Sequence, residues 1–411
     1  MSFHDCDVFV TVVFPCLNEE GAVGSCIDDA LGSLRNANIR GEVLVVDNNS
    51  TDHSVEIALS HGARVVSELQ PGYGSALRAG ILAARGEIVV MADADMTYEL
   101  GAIPRLIEPI TSNRADLVLG ERLSSSTRHS MPFLHRRVGT PILSFLVNRA
   151  AGNILVRDSQ SGFRAFRRDE VVGLGLTSTG MEFASELLVR AGRAGMRVCE
   201  VETSYGNRIG NSKLNTFSDG WRHFRQIVLL APYMLLITPG IILLTFGALF
   251  QMFEFLDPAG LVIGPLHWRP IFLGGIALVV GTQFTVVGLV ARDRSFKSDV
   301  LTGVRTNQER LKWLRYILPI GTLSTLIGGS IDIFLLVRPL FRSSALVLQE
   351  PLASLASSAL IIGISLISFG LLYPLFDKMP MPTIPLATSV SMVDDARSDS
   401  EEINSIELGS D

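Results

Sequence analysis

Apolar residues in the first half of the chain fall in short runs. Phe9 to Phe14 and Val43 to Val46 are β-rich stretches, each ending at polar residues and followed by a helix-like segment, which is how a βαβ arrangement begins. Val65-Val66, Ile88 to Met91 and Leu117 to Leu119 supply further strands, and Gly74 to Ala84 reads as the helix leading to the fourth of these runs. The alternation predicts an α/β domain with a mostly parallel sheet covered on both faces by helices. Ligands of such sheets sit beyond the carboxyl ends of the strands, and the polar motifs of this chain lie at those ends.

The pattern changes after residue 214. From Asn215 to Val228, Phe217, Trp221, Phe224 and Val228 recur at helical spacing opposite Asp219, Arg222, His223 and Arg225, as in a helix lying at a membrane interface. A helix packing its aromatic stripe on the soluble core is the alternative, and the immediate run into apolar sequence favours the interface. Four segments, roughly Leu229 to Phe250, Ile271 to Ala291, Tyr316 to Val337 and Leu355 to Phe376, each have the ~20 apolar residues needed to cross a bilayer. The loop from Arg292 to Arg315 holds seven basic residues, whereas the flanking loops hold Arg269 on one side and Arg338 and Arg342 on the other. The positive-inside bias places that loop and both termini in the cytosol, which makes the chain a multi-pass protein of the cell membrane. The expected domains are 1–214 (catalytic), 215–228 (interfacial), 229–378 (membrane, with the basic loop at 292–315) and 379–411, a Ser-rich, acidic, disordered tail.

Composition agrees with this division. Of 411 residues, 47% are hydrophobic and only 18% charged, too apolar for an ordinary soluble protein. The net charge of −6 owes much to the tail, where seven acids from Asp394 to Asp411 face a single Arg397. Nothing in this balance suggests a nucleic-acid partner. Cys6, Cys16, Cys26 and Cys199 show no CxxC spacing and read as reduced cytosolic thiols. The N-terminus lacks a basic n-region and its apolar run breaks at Pro15, so it is not a signal peptide.

Asp93 and Asp95 follow the strand Ile88 to Met91, and residues two apart in extended chain point to the same side. Two converging carboxylates call for a cation, and Mg²⁺ or Mn²⁺ prefers carboxylates together with phosphate oxygens. Acidic residues after a strand are also common turn formers, so the pair gains weight from its neighbours. Pro15 to Glu20 closes the first strand and Asp47 to Asp52 the second. Asp47 suits a nucleobase or ribose, although the Asn-Ser-Thr-Asp run equally suits a helix N-cap. Gln70-Pro71-Gly72-Tyr73-Gly74-Ser75 puts glycines before a helix containing Arg78, which would let backbone N–H groups approach a phosphate. It is neither GxGxxG nor a Walker loop. Asp332, inside the third span next to Gly328-Gly329-Ser330, is read as a polar link between helices rather than as chemistry.

Taken in order, these stretches resemble family 2 glycosyltransferases of the GT-A fold, most closely the polyprenyl-phosphate hexose transferases related to dolichyl-phosphate mannose synthase. The likeness runs from Val10 to about Leu230. It also includes Gly120-Glu121-Arg122, Asp158 to Phe166, Gly180-Met181-Glu182-Phe183 and Arg208 to Leu214. The resemblance implies that Asp47 contacts the base and that Asp93 and Asp95 hold nucleotide and metal, with Pro15, Asn18, Glu19, Glu20, Asn49, Gly74, Arg78 and Ala94 around the donor. It implies catalytic roles for Asp95, Arg122, Arg208 and Lys213, the three basic residues meeting the diphosphate or the acceptor phosphate. The stretch Ser124 to Arg137, with Arg128, His129, His135, Arg136 and Arg137, would be a mobile acceptor loop, joined by Ser161 and Arg164. A basic surface loop drawn to anionic lipid heads is the alternative for that stretch. The mannose synthases carry Gln two positions after the second Asp, where this chain has Thr97, a shorter ligand that puts the third metal contact in question.

The implied reaction transfers a hexose from a GDP- or UDP-linked donor to a dolichyl or undecaprenyl phosphate, with inversion, in an enzyme that is a monomer or a homo-oligomer. Two other readings compete. A processive polysaccharide synthase would carry a Gln-x-x-Arg-Trp motif, which is absent from the sequence. A lipid-sugar flippase would need a polar path through the spans, which hold few charges.

Overall fold

The computed structural model describes residues 9–122, 139–152, 154–206, 208–209, 224–228, 230–256, 261–263, 266–268, 271–298, 314–337, 349–377 and 390–392. The chain divides into two compact units, one of Met1–Leu230 with Ile384–Asp411 and one of Ala231–Thr383.

In chain order the first unit runs β1 (Val10–Cys16), α1 (Val23–Asn36), β2 (Gly41–Asp47), α2 (Ser54–Ser60), β3 (Arg64–Glu68), α3 (Tyr73–Ala83), β4 (Ile88–Met91), α4 (Ile103–Thr111), β5 (Leu117–Glu121), α5 (Thr140–Ala151), β6 (Arg164–Arg167), α6 (Arg168–Gly173), α7 (Phe183–Arg193) and β7 (Val198–Glu202). These strands form one sheet in the order β3-β2-β1-β4-β6-β5-β7. The expected mostly parallel sheet with flanking helices is present, and each predicted strand lies in it. β6, which the sequence reading left unassigned, runs antiparallel between β4 and β5. Its antiparallel course brings the residues that enter it to the same edge as the carboxyl ends of its neighbours.

Alternation in the strands accounts for the two faces. Val10, Val12 and Phe14 belong to the core shared with Ile27, Ala30, Leu34, Ile103 and Leu106 of α1 and α4. Val13 points the other way, where a side chain on Gly80 of α3 would come within 2.4 Å of it. Thr11, fully buried, donates its hydroxyl to Glu42 and accepts the Gly86 N–H, so its polar group costs nothing in the core. Within the segment expected to be a disordered tail, Val390–Met392 pairs antiparallel with β3; the rest of 379–411 lies outside the described residues. Of the expected interfacial helix, residues 224–228 are helical and the remainder lies outside the described residues.

Among the described residues the second unit holds four helices long and apolar enough to cross a membrane: Tyr233–Leu256, Leu273–Arg292, Tyr316–Val337 and Glu350–Leu372. The first opens with a π-helical turn, Tyr233–Ile237, and a short hairpin, Leu261–Ile263 with Leu266–Trp268, follows it. The first helix continues past Phe250, where hydropathy ended it, to Leu256. The extra turns carry Gln251 and Glu254, each only 4% exposed. These side chains face neighbouring helices rather than lipid, which an average over a hydropathy window cannot register. The helix of the second span also runs on to Ser298, into the expected basic loop. Glycines set the helix contacts. A Cβ on Gly247 would lie 2.8 Å from the Leu278 backbone, and one on Gly328 would lie 2.5 Å from the Ala356 carbonyl, the close approach through which membrane helices gain packing energy. Asp332 accepts a hydrogen bond from Ser357 at 3.3 Å, which supports the reading of a polar link between the third and fourth helices.

Candidate active site

The ends of β1, β2, β3 and β4 and the segment entering β6 bring the polar motifs to one edge. The first two loops are bonded to each other. Asn18 donates its N–H to Ser50 and accepts that of Thr51, while Glu19 and Glu20 donate theirs to Ser54 and Asp52. Asp47 accepts the Ser50 N–H, a turn-forming bond, and Asp52 accepts the Ser54 N–H at the start of α2, in keeping with the capping role that was the alternative for this run. Asn18 and Asn49 sit at φ 51° and 66°, the left-handed region that Asn tolerates better than most side chains. Asn48 ties β2 to the following loop by donating to the carbonyls of Glu68 and Gln70 and accepting the Gly72 N–H. The Asn-rich run therefore builds a rigid double loop, with Pro15, Asn18, Glu19, Glu20, Asp47 and Asn49 together on it.

Asp93 and Asp95 lie where β4 ends, with Ala94 buried between them. Burial and the neighbouring Asp95 charge push the Asp93 carboxyl up to about 6, against the pull of a hydrogen bond from Tyr73 and of Arg122 and Arg208. The Tyr73 hydroxyl donates to Asp93 Oδ1 at 2.9 Å. Thr97 donates both its N–H and its hydroxyl to Asp95 Oδ1, at 3.1 and 2.5 Å, so it orients the second carboxylate from behind. On the other side, Arg208 bridges Glu19 Oε1 at 3.0 Å and Asp95 Oδ2 at 3.4 Å. A Cβ on Gly162 would come 2.9 Å from Asp93 Oδ2, so the residue facing the pair must lack a side chain.

This donor set fits a hard divalent cation. Two crowded carboxylates repel each other, and among the described residues no group of three or more His, Cys, Asp or Glu surrounds them. The protein would supply the two carboxylates, leaving the other positions to phosphate oxygens and water.

The remaining predicted residues divide in two. Arg122 is pinned: its Nε and Nη2 donate to Asp158 at 2.7 and 3.0 Å, and its guanidinium lies 5.2 Å from the Tyr205 ring centre. Arg164 is fully buried, with Nε, Nη1 and Nη2 donating to the carbonyls of Ser161, Ala184 and Ser159, each at 2.8 Å. Burial lowers the Arg164 guanidinium to about 10. It holds the loop entering β6 in shape instead of facing an acceptor, and Ser161 is buried beside it. Gly72 and Gly74 also differ from the sequence reading. Gly74 and Ser75 donate their N–H groups to the Thr179 carbonyl at 2.9 and 3.1 Å, so these groups are engaged within the protein and not offered to a phosphate. The glycines are required because a Cβ would fall 2.2 Å from the Thr179 carbonyl at Gly72 and 2.5 Å from that of Ser178 at Gly74. Arg78, on α3, donates to the Thr177 carbonyl at 3.3 Å.

Lys213, Ser124, Arg128, His129, His135, Arg136 and Arg137 lie outside the described residues. The sequence reading did not single out Tyr73 or Tyr98. Tyr98 accepts the Gly162 N–H at 2.7 Å and packs on Phe163. The signal for both was an aromatic residue inside a polar motif, Gln70 to Ser75 for Tyr73 and Asp93 to Tyr98 for Tyr98.

The profile described as Glycosyl transferase family 2 matches residues 11–172. The chain is 36% identical over 282 residues to the low-salt glycan biosynthesis hexosyltransferase Agl6 of Haloferax volcanii, covering 68% of this chain and 67% of that protein. It is 35% identical over 220 residues to a dolichyl-phosphate hexose transferase of the same organism, covering 53% of this chain and 92% of the relative. Among solved structures, it is similar to the glucosyl-3-phosphoglycerate synthase of Mycobacterium tuberculosis in complex with Mn²⁺, UDP and glucosyl-3-phosphoglycerate, at 26% identity and a TM-score of 0.43, covering 54% of this chain and 78% of that one.

Proposed function

Because the chain belongs to glycosyltransferase family 2, we propose that it moves a hexose from a GDP- or UDP-linked donor to a polyprenyl phosphate, dolichyl or undecaprenyl, with inversion at the anomeric carbon. The observation that carries this reading is the pair Asp93 and Asp95 at the sheet edge, with Arg208 bound to the second, in a chain that also holds four membrane-length apolar helices. The dolichyl-phosphate hexose transferase relative supports the same acceptor class.

Asp93 and Asp95 would hold Mg²⁺ or Mn²⁺, whose charge offsets that of a leaving diphosphate. Arg208, already held between Glu19 and Asp95, is poised to meet the same charge as it develops. An acceptor phosphate oxygen forms the new bond to the anomeric carbon as the bond to the diphosphate breaks. That oxygen is anionic at neutral pH, so no general base is needed and positioning suffices. Lys213 and the segment Ser124 to Arg137 would receive the acceptor phosphate, with residues 215–228 at the membrane interface. The enzyme would sit in the cell membrane with the catalytic unit and both termini cytosolic.

The test is a screen of radiolabelled nucleotide sugars with the full chain reconstituted in liposomes containing polyprenyl phosphate. A short, organic-soluble product is expected, abolished by Asp95→Ala without loss of membrane insertion. A polymer would identify a processive synthase. Undiminished transfer after chelation of divalent metal would overturn the site assignment.

A further inference from the structure

Helix α5 is divided lengthwise. Its inner face, with Ser144, Val147, Ala150 and Ala151, is buried, and a Cβ on Gly192 of α7 would fall 2.7 Å from that of Ala151. Its outer face carries Ile142, Phe145 and Arg149, at the i, i+3 and i+7 positions of one helical stripe, with Ile142 54% and Phe145 64% exposed. Past the helix end, Asn148 donates to the Val156 carbonyl at 2.8 Å and accepts the Val156 N–H at 3.0 Å. That clamp fixes the turn on which Leu155 stands 88% exposed. Three large apolar side chains held outward on a rigid support mark a contact surface.

Position and charge identify what that surface meets. Arg193 of α7 donates Nε to the Ala150 carbonyl at 3.3 Å and Nη2 to the Leu230 carbonyl. Leu230 belongs to the first unit and comes three residues before Tyr233, where the first membrane-length helix begins. One guanidinium thus ties the C-terminal end of α5 to the point where the chain turns apolar. From Leu123 to Val156 the sequence holds four arginines and no acid, in a chain of net charge −6, and Arg149 is exposed on the stripe itself. An apolar stripe bearing arginine and no carboxylate suits an anionic bilayer surface, where the apolar side chains enter the acyl boundary and the guanidinium stays among the phosphates.

We propose that α5 docks on the membrane surface, with Ile142, Phe145 and Leu155 in the acyl boundary and Arg149 at the lipid phosphates. Ser144 extends this contact to the sheet edge. Its hydroxyl donates to the Arg157 carbonyl at 2.9 Å and accepts the Ser159 N–H at 3.0 Å, on either side of Asp158, which holds Arg122. A docked α5 therefore sets the height of the Asp158 loop above the lipid, where an acceptor phosphate would arrive. Docking does not rest on the catalytic reading, whereas that consequence for the acceptor does.

The experiment uses the full chain, with Cys6 and Cys199 replaced by serine, in nanodiscs of phosphatidylcholine and phosphatidylglycerol. A nitroxide is attached in turn to Ile142→Cys, Phe145→Cys and Leu155→Cys, and its collisions with O₂ and with a water-soluble nickel chelate are measured by power saturation, calibrated with nitroxide-labelled lipids. All three labels should lie about 5–10 Å below the phosphate level. Nickel collisions as frequent as in solution would overturn the proposal, and so would protection from both reagents, which would show a protein cover instead of lipid. The double variant Ile142→Glu with Phe145→Glu should return the label at Leu155→Cys to water while leaving melting nearly unchanged, since both positions are exposed. It should also raise the KM for polyprenyl phosphate and leave that for the nucleotide sugar as it was; an unchanged acceptor KM would overturn the link to the site. Labels at lipid depth in a chain that transfers no sugar would support docking and count against the catalytic reading alone.

Discussion

Replacing Asp158 by Asn tests how the sheet edge is held. The Asp158 carboxylate is fully buried and accepts four hydrogen bonds, from Arg122 Nε at 2.7 Å, Nη2 at 3.0 Å and N at 3.3 Å, and from Gln160 N at 3.3 Å. Arg122 is 9% exposed, and beyond Asp158 it has the Tyr98 hydroxyl at 3.4 Å and the face of Tyr205. Asn has the same shape but no charge, so the buried guanidinium would lose the charge of Asp158, at a cost of about 3–5 kcal/mol. For a unit of this size 1 kcal/mol moves the melting temperature by about 2–4 °C, giving a loss of about 6–20 °C. Cys16 and Cys26, 1% and 0% exposed in the same unit, allow a thiol-reactive maleimide fluorophore to report its unfolding in the intact membrane protein. Glu108→Gln breaks the exposed pair with Arg114 and should cost less than about 1 kcal/mol. The double substitution Asp158→Asn with Arg122→Met removes both charges and should recover most of the loss. A double variant that melts no higher than Asp158→Asn would refute the reasoning, because the cost would then not come from an uncompensated buried charge.

Four further outcomes follow, three of them from the same edge. Asp93 has a carboxyl raised to about 6, so its ionisation disfavours the fold as pH rises from its ordinary range through that value. Mn²⁺ should therefore raise the melting temperature more at pH 7.5 than at pH 5, where a proton must first be displaced; equal shifts at both would show that Asp93 is not a ligand. Tyr73→Phe removes the donor to Asp93 Oδ1, a bond to a charged group worth about 1.5–3 kcal/mol. It should move the acid limb of the activity profile upward, weaken Mn²⁺ binding as read by isothermal titration, and lower the melting temperature by about 3–12 °C. Gly74→Ala sets a Cβ against two backbone carbonyls, those of Ser178 at 2.5 Å and Gly180 at 2.9 Å, and should destabilise by about 1–3 kcal/mol. Gly32→Ala in α1, with nothing within 4 Å, should instead stabilise by about 0.5–1 kcal/mol in chemical denaturation.

What the sequence made legible, and what it did not, follows from the range of the forces involved. β1, β2 and β4 were readable because their apolar runs are local, and Asp93 and Asp95 were readable because two residues of extended chain repeat a direction whatever lies around them. The partners of those residues were not. Arg122 and Arg164 looked like phosphate ligands because an arginine's charge is visible in sequence, while its consumption by Asp158 or by three carbonyls depends on a loop that β6 brings back antiparallel. Gly72 and Gly74 looked like a phosphate cradle, yet Thr179, about a hundred residues away in sequence, takes the N–H groups of Gly74 and Ser75 and leaves no room for a Cβ. The same limit applies in the apolar helices, where Gln251 and Glu254 lower the hydropathy of a window that ends at Phe250 and so were read as its boundary. Their burial within the bundle, where Gln251 donates to Ser354, makes them part of the helix packing rather than an end signal. In the first unit the sequence marked where the polar residues fall along the chain. Whether each was a ligand or a strut was decided by a segment far along the chain.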